Sequence, residues 1–438
     1  MKRWPSILIP ALIGLTFFNT LLLSGCGRDV VVRGNSQAPL SSDVIIIGDT
    51  IAALVAALEA ASQGAAVLVF FSKMNEDRWL WNEGAIAADF ETAEGSDSSA
   101  ALRELLSAYG EGRGQSWFYD LMARQAGPDL DWFARETGLE WSQENTLRQR
   151  PDNLTLAQVY ERLLYAAGLE GVRFFPGTVV QEMLFKDRGS KVIGIKYSGA
   201  PGLAREAYAP VVVLADGSYL ENEALMQTLA PAVSAAHWRR GQSGLGWQLC
   251  LDAGLDMVEP NLFAYAPAVE DGDLWVEADW PEKALLVIDD RIVPLDGKSK
   301  GDVVAELLGS KSATGYLLIS ENQLAPEQEL NWPRFSGIEA FLETYRLDLP
   351  QLKHWFMQPW GFFRAQRVKA VAEYCLGGAA VNEQGKLMRG GNPVDGLYGA
   401  GEITGGLHGW GLAPGAALTE AVVWGRYIGR KATEQFHE

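Results

Sequence analysis

The chain has 438 residues, of which 48% are hydrophobic and 21% charged, and it carries a formal net charge of −18. That length allows two domains with sizeable cores. The acidity excludes nucleic acid and anionic lipid as electrostatic partners.

The N-terminus is the first element. Lys2 and Arg3 precede a mostly apolar run, Ile7–Leu23, which ends in Leu23-Ser24-Gly25-Cys26. This resembles a bacterial lipoprotein signal, in which the Cys after a box of small residues is acylated and becomes the first mature residue. An uncleaved membrane anchor is the other reading of the same run, and the small-residue box favours lipidation of Cys26. The expected organisation is a signal peptide over 1–25, a tether over 26–42, and a body held by lipid at an extracytoplasmic membrane surface.

Val44–Ile47 is a β-branched run suited to a buried parallel strand. Ile51–Ser62 is an Ala-rich helix stopped at Gly64, and Val67–Phe71 is the next strand. This is a β-α-β unit, the start of a doubly wound fold. Residues 100–140 and Leu154–Leu169 read as helical. The stretch 172–197 reads as strands with a hairpin at Asp187–Ser190. "VVVLADG" is a buried strand ending in a turn at Asp216-Gly217, and "GQSGLGWQLCLDAGL" opens a helix after a glycine-rich loop. From about Asp256 to Pro359 the pattern turns irregular, as an inserted cap would. "YCLGGAAVNEQGKLM" resumes strand character, and a strand, a glycine-rich loop and a long helix close the chain. The expected fold is therefore α/β: a Rossmann-like domain in two pieces, 43–257 and 360–438, with an α+β cap over 258–359.

After Cys26 only Cys250 and Cys375 remain, each among apolar residues, so both read as buried thiols. A disulfide between them is the alternative in an oxidising compartment. No Cys-x-x-Cys-His occurs, and the four histidines lack metal-ligand spacing, so no metal site is expected.

Gly396–Gly409, "GLYGAGEITGGLHG", resembles the closing segment of FAD-binding flavoproteins of fumarate reductase and succinate dehydrogenase type. "VVVLADGSYLEN", "GQSGLGWQLCLDAGL" and "YCLGGAAVNEQGK" echo that family's later motifs in the same order, so the resemblance covers about residues 43–430. It implies non-covalent FAD. It assigns cofactor contacts to Gly48, Thr50 and Ala53 of the phosphate loop, and to Ser72 where the family has a ribose-binding carboxylate. It assigns further contacts to Gly84, Asp216, Gly401, Glu402, Gly405 and Gly406, and to Ala417 and Leu418 of the last helix. The family's glycines at those closing positions let backbone approach the cofactor. Thr50 and Ala53 replace the second and third glycines of the phosphate loop, and Thr50 puts a branched side chain where a phosphate oxygen sits. The loop at Asp77–Leu80 has also lost its glycines.

The reaction centre departs further. Tyr374 stands in place of the family's His, and Leu412 in place of the Arg that clamps a substrate carboxylate. His408 stays in register. Tyr374 and His408 are the candidate proton donors or hydrogen-bond partners, and Arg364, with Arg367, is the candidate anion contact. Trp79, Trp81, Trp247 and Trp410 are candidates to stack on a flavin or fill its site.

Two functions fit these residues. One is a membrane-anchored FAD-dependent oxidoreductase acting on an apolar substrate that is not a dicarboxylate, with a separate electron-transfer partner. The other is a lipoprotein that keeps the fold as a binding or assembly module without FAD. Thr50, the missing ribose carboxylate, the altered loop at 77–84, and an N-terminus (MKRWPS) without a full twin-arginine pair point to the second.

Overall fold

The computed structural model describes residues 39–72, 84–87, 98–143, 147–199, 203–235, 243–271, 274–281, 283–289, 291–324, 331–349 and 362–434. The first β-α-β unit forms as its pattern dictates. Strand β1 (Val44–Ile47) is buried along its whole length. Helix α1 (Ile51–Ser62) follows, capped by Thr50, and β2 (Val67–Phe71) pairs in parallel with β1, Val44 opposite Val67. Alanines let α1 be buried on every side rather than along one stripe.

Helix α2 (Ser116–Thr137) packs on the same layer. Strands β3 (Arg173–Pro176), β4 (Lys191–Ser198), β5 (Ala204–Tyr208) and β6 (Val211–Leu214) join the sheet. The hairpin expected at Asp187–Ser190 is present, with Val179–Lys186 antiparallel to β4.

Two long strands build a second sheet, β7 (Phe263–Asp271) and β8 (Phe363–Cys375), paired antiparallel. Strand β9 (Asn392–Gly399) then returns to the first sheet, and helix α3 (Ala416–Glu434) ends the described chain. The first sheet runs Leu40–Ser41, β5, β4, β9, β6, β1, β2, β3. Its centre, β9-β6-β1-β2-β3, is parallel, and β5 on β4 is antiparallel at one side. This is the Rossmann-like α/β architecture. The chain leaves β1 towards β2 and later returns to its other side as β6. The crevice between the carboxyl ends of β1 and β6 is therefore the topological switch point, where such sheets bind ligands.

The second sheet contains Leu274–Glu277, β7, β8, Thr314–Ser320, Leu285–Ile288 and Arg291–Pro294. It has apolar clusters of its own, around Leu286, Leu317 and Val368 on one face and Phe335, Phe341 and Phe363 on the other. Strand β8 belongs to this sheet through to Cys375. The cap therefore runs past residue 359, where the change in composition placed its end, and hands over to the first domain at Leu376–Gly378.

Helices α1 and α3 cross on small residues. A Cβ on Gly425 would stand 2.8 Å from the Ala52 carbonyl oxygen, and one on Gly429 2.7 Å from that of Ala56. Beside this seam Arg426 donates to Glu59 (2.8 Å) and to Asp129 of α2 (2.5 Å). The three helices are thus joined by a largely buried ion network.

Candidate active site

The switch-point crevice is built by the first turn after β1. Gly48 has φ +120°, and a Cβ there would lie 2.3 Å from the Ala215 carbonyl oxygen, so only glycine fits between β1 and β6. Thr50 has φ −62°, which any residue adopts. Its hydroxyl donates to the Ala215 carbonyl (2.8 Å) and accepts from the Ala53 N–H (3.2 Å). The side chain is turned back onto its own turn and caps α1; it does not stand over the helix end as a branched obstacle. The first-turn N–H groups of Ile51 and Ala52 have no acceptor inside the helix, and no acidic side chain lies in that turn. A helix end of this kind favours a phosphate. Ala53 is wholly buried in the layer between the helices, and Ser72 is exposed just beyond β2.

Asp216 follows β6 and borders the crevice. It accepts from the N–H of Gly246 (2.9 Å), in the first turn of the helix Leu245–Asp252, and from the Ser243 hydroxyl (3.5 Å). Protein encloses most of its surface. That enclosure raises its pKa to about 6 against these two hydrogen bonds.

The glycine-rich closing segment owes its glycines to another contact. A Cβ on Gly405 would fall 2.1 Å from the Gly378 nitrogen, and one on Gly378 2.5 Å from the Ile403 carbonyl oxygen. On Gly401 it would meet the Ala52 side chain at 2.8 Å, and on Gly406 the Val258 side chain at 3.0 Å. These glycines close one part of the protein against another. Glu402 lies in that joint and accepts from the Cys375 N–H at 2.9 Å. Gly84 is similar: with φ +73°, its Cβ would strike the Gln149 carbonyl oxygen at 2.3 Å. The adjoining Ile86 is pinned to α3 through Thr419, which accepts from its N–H (2.9 Å) and donates to its carbonyl (2.8 Å).

The chemistry-bearing side chains gather at the start of α3. Tyr374, near the end of β8, donates its hydroxyl hydrogen to Glu420 Oε2. His408 Nε2 lies 3.0 Å from the same oxygen. Tyr374, His408 and Glu420 are all buried. Glu420 Oε1 is buried and has no hydrogen-bond partner among the described residues. The two rings meet edge-on, centroids 6.1 Å apart, and Phe118 packs edge-on against His408 at 5.3 Å. The Tyr119 hydroxyl holds the His408 carbonyl at 2.6 Å.

Leu376 and Ala417 pack with Tyr374, and Leu262, Ala264 and Leu412 lie against them only partly buried. Leu418, one residue on from Ala417, points instead into the main core. Sequence reasoning missed Glu420. The signal was there: a carboxylate inside "AALTEAVVW", a run too apolar to be a solvated helix face.

Arg364 lies at the opposite end of β8 from Tyr374. Ten extended residues hold the two roughly 33 Å apart. Arg364 pairs there with Glu321 (3.3 Å) and donates to the Trp332 carbonyl (3.0 Å), so the structure does not bring it to the cluster. Trp247 is core, packed 4.4 Å from the Tyr219 ring. Trp410 is exposed and covered by the Arg113 guanidinium at 3.8 Å. Asp77–Leu80, Trp79 and Trp81 lie outside the described residues, as does Cys26. Cys250 and Cys375 are separate buried thiols, and burial pushes that of Cys250 up.

Comparison with known proteins agrees with this fold. Residues 43–418 match the family model described as the FAD binding domain. An NADH:fumarate oxidoreductase of Klebsiella pneumoniae (strain 342) is 22% identical over 92% of this chain and 48% of its own length. The chain thus spans about half of that relative. A fumarate reductase of Schizosaccharomyces pombe is 40% identical over 72 residues, 16% of this chain and 14% of that protein. Among solved structures, the open conformation of a flavocytochrome c3 fumarate reductase superposes with a TM-score of 0.75 at 18% identity, over 92% of this chain and 80% of that one. A 3-ketosteroid-Δ4-(5α)-dehydrogenase from Rhodococcus jostii RHA1, in complex with 4-androstene-3,17-dione, superposes at 0.71 with 19% identity, over 91% and 98%.

Proposed function

We propose a function from one premise: the chain belongs to the FAD binding domain family of fumarate reductase and succinate dehydrogenase type, and FAD is its cofactor. The crevice fits a dinucleotide. The Ile51 and Ala52 N–H groups at the start of α1 would hold the diphosphate, Ser72 the ribose, and Glu402 a ribityl hydroxyl. When bound, FAD supplies hydride chemistry at the flavin ring.

On that premise the protein is an FAD-dependent oxidoreductase whose substrate is neutral and largely apolar. Leu412 carries this reading. It packs beside Tyr374, Leu376 and Ala417, where a carboxylate-clamping member of the family has an arginine. Glu420 and His408 meet at the hydroxyl end of Tyr374 in the same cluster. A buried carboxylate repels a dicarboxylate, and no guanidinium is present at this position to bind one. The apolar rim of Leu262, Ala264 and Leu412 suits a hydrophobic body instead. The Rhodococcus dehydrogenase was solved with a neutral diketone, and a ligand of that chemistry is what this rim would admit. The chain's own residues would bind that body, keep water from it, and exchange a proton with it at Tyr374 Oη. Electrons would pass to or from a separate partner.

The first test is the visible spectrum of the purified full-length chain before and after adding FAD, followed by turnover with an artificial electron-acceptor dye. A flavin band that survives gel filtration, with turnover of neutral ketones but not succinate, supports the reading. A colourless chain that takes up no FAD overturns it and favours a binding module.

The same proposal places the protein on a membrane surface through an acylated Cys26. Cys26→Ser should move it from the membrane to the soluble fraction on cell fractionation. An unchanged distribution would count against lipidation.

A further inference from the structure

The chain joins the first sheet at its edge. Leu40–Ser41 runs parallel to β5, with Leu40 opposite Ala207 and Ser41 opposite Tyr208. A parallel pairing fixes direction, so the chain comes to Leu40 from the Ala204 end of β5. Strand β5 is antiparallel to β4, and Val179–Lys186 is antiparallel to β4 on its other side. Val179 and Ala204 therefore both stand opposite Ser198, and the three residues form one row at the tip of an antiparallel sheet.

We infer that this tip, through Leu203 and Val179, is the part of the protein that dips into the surface of the bilayer holding the acylated Cys26. The inference rests on the lipoprotein reading above and adds which end of the body meets the membrane.

The tip is apolar and open. Leu203 is 70% exposed and Val179 44%. It is also uncharged, in a chain with 55 acidic residues and a net charge of −18. Gly177, Val179, Ser198, Gly199, Leu203 and Ala204 carry no charge, and the first charges back from them are Glu182, Lys196 and Arg205. A bilayer with anionic headgroups repels an acidic body, so the end without carboxylates is the one that approaches at least cost. Moving an exposed leucine and valine from water into the acyl boundary is then favourable.

Exposure alone does not select the tip. Leu169 is also 70% exposed, but it precedes β3, at the other end of that strand from Gly177 and Val179. What selects the tip is the direction of the chain at Leu40. Ala207, where the chain joins the edge, is three residues from Ala204, roughly 10 Å along the strand. Cys26 comes thirteen residues before Pro39, so covalent geometry holds its acyl chains within about 45 Å of that point.

The experiment uses the full chain with its acyl chains, reconstituted in phosphatidylcholine vesicles. Leu203→Cys and, as a control of equal exposure, Leu169→Cys are each labelled with the same polarity-sensitive dye; Cys250 and Cys375 are buried and stay unlabelled. Dye at 203 is expected to shift its emission to the blue, and nitroxide-bearing lipid should quench it about threefold more than dye at 169. Adding Val179→Asp to the labelled Leu203→Cys chain should remove about half of that quenching, because it brings a carboxylate to the tip. Equal quenching at the two positions, or none at 203, overturns the inference where Cys26 is acylated. Mass spectrometry of the N-terminal peptide decides acylation separately: an unmodified Cys26 overturns the lipoprotein reading and this inference with it. A blue shift at 203 that is already present without vesicles, in a chain that light scattering shows to be a dimer, also overturns it and makes the tip an interface between copies.

Discussion

Thr50 is the residue on which the identity of a dinucleotide site turns. Its hydroxyl is held by Ala215 and Ala53, so its bulk lies against its own turn. Replacing it with glycine should therefore change FAD affinity by less than about threefold, well under the 1.4 kcal/mol of a tenfold effect. Isothermal titration of wild type and Thr50→Gly checks this. A gain beyond tenfold would mean that the methyl group does intrude on the phosphate. Asp216 offers a second test at this scale. Its folded-state pKa is raised to about 6, from 3.8, chiefly by burial. Between those values the folded chain holds a proton that the unfolded chain has released, so this group's contribution falls as pH rises from about 4 to 6 and is level above. Asp216→Asn keeps an acceptor for the Gly246 N–H and removes the titration. Its melting temperature relative to wild type should climb across that window; a difference independent of pH would show that burial does not set the titration of Asp216.

Among the elements, the meeting of α1 and α3 is the most constrained. Glycine to alanine inside a helix ordinarily gains up to about 1 kcal/mol. At Gly425 the added methyl would sit 2.8 Å from a backbone oxygen of the facing helix, so α1 must move away. Gly425→Ala should lose about 1–3 kcal/mol in urea unfolding, the reverse of the propensity effect. A neutral or stabilising result would show a seam looser than the one described. The same scale shows what the chain displays of its own structure. The strand Val44–Ile47, helix Ile51–Ser62 and strand Val67–Phe71 are legible because their patterns are local and unbroken. The extent of β8 is not, because thirteen residues that mix Arg, Gln, Lys and Glu with apolar ones look like a boundary until their partners β7 and Thr314–Ser320 are known. Glu420 escaped for a related reason: its partners lie 12 and 46 residues away, on a loop and a strand.

At the scale of the whole molecule, a two-piece nucleotide-binding domain and an inserted cap could be read from the order of motifs. What held the pieces together could not. The cap's long strand hands over to the first domain at Gly378, and the closing motif meets it there, backbone against backbone at Gly405. That joint has a consequence for recognising relatives. A signature usually taken as the mark of a bound flavin is enforced in this fold by the fit of two chain segments. It would persist in a descendant that had given up its cofactor, because losing either glycine would pry the two lobes apart. A census of flavoproteins drawn from this signature alone therefore counts intact hinges between lobes; whether each holds a yellow ring must be established at the helix end behind Gly48.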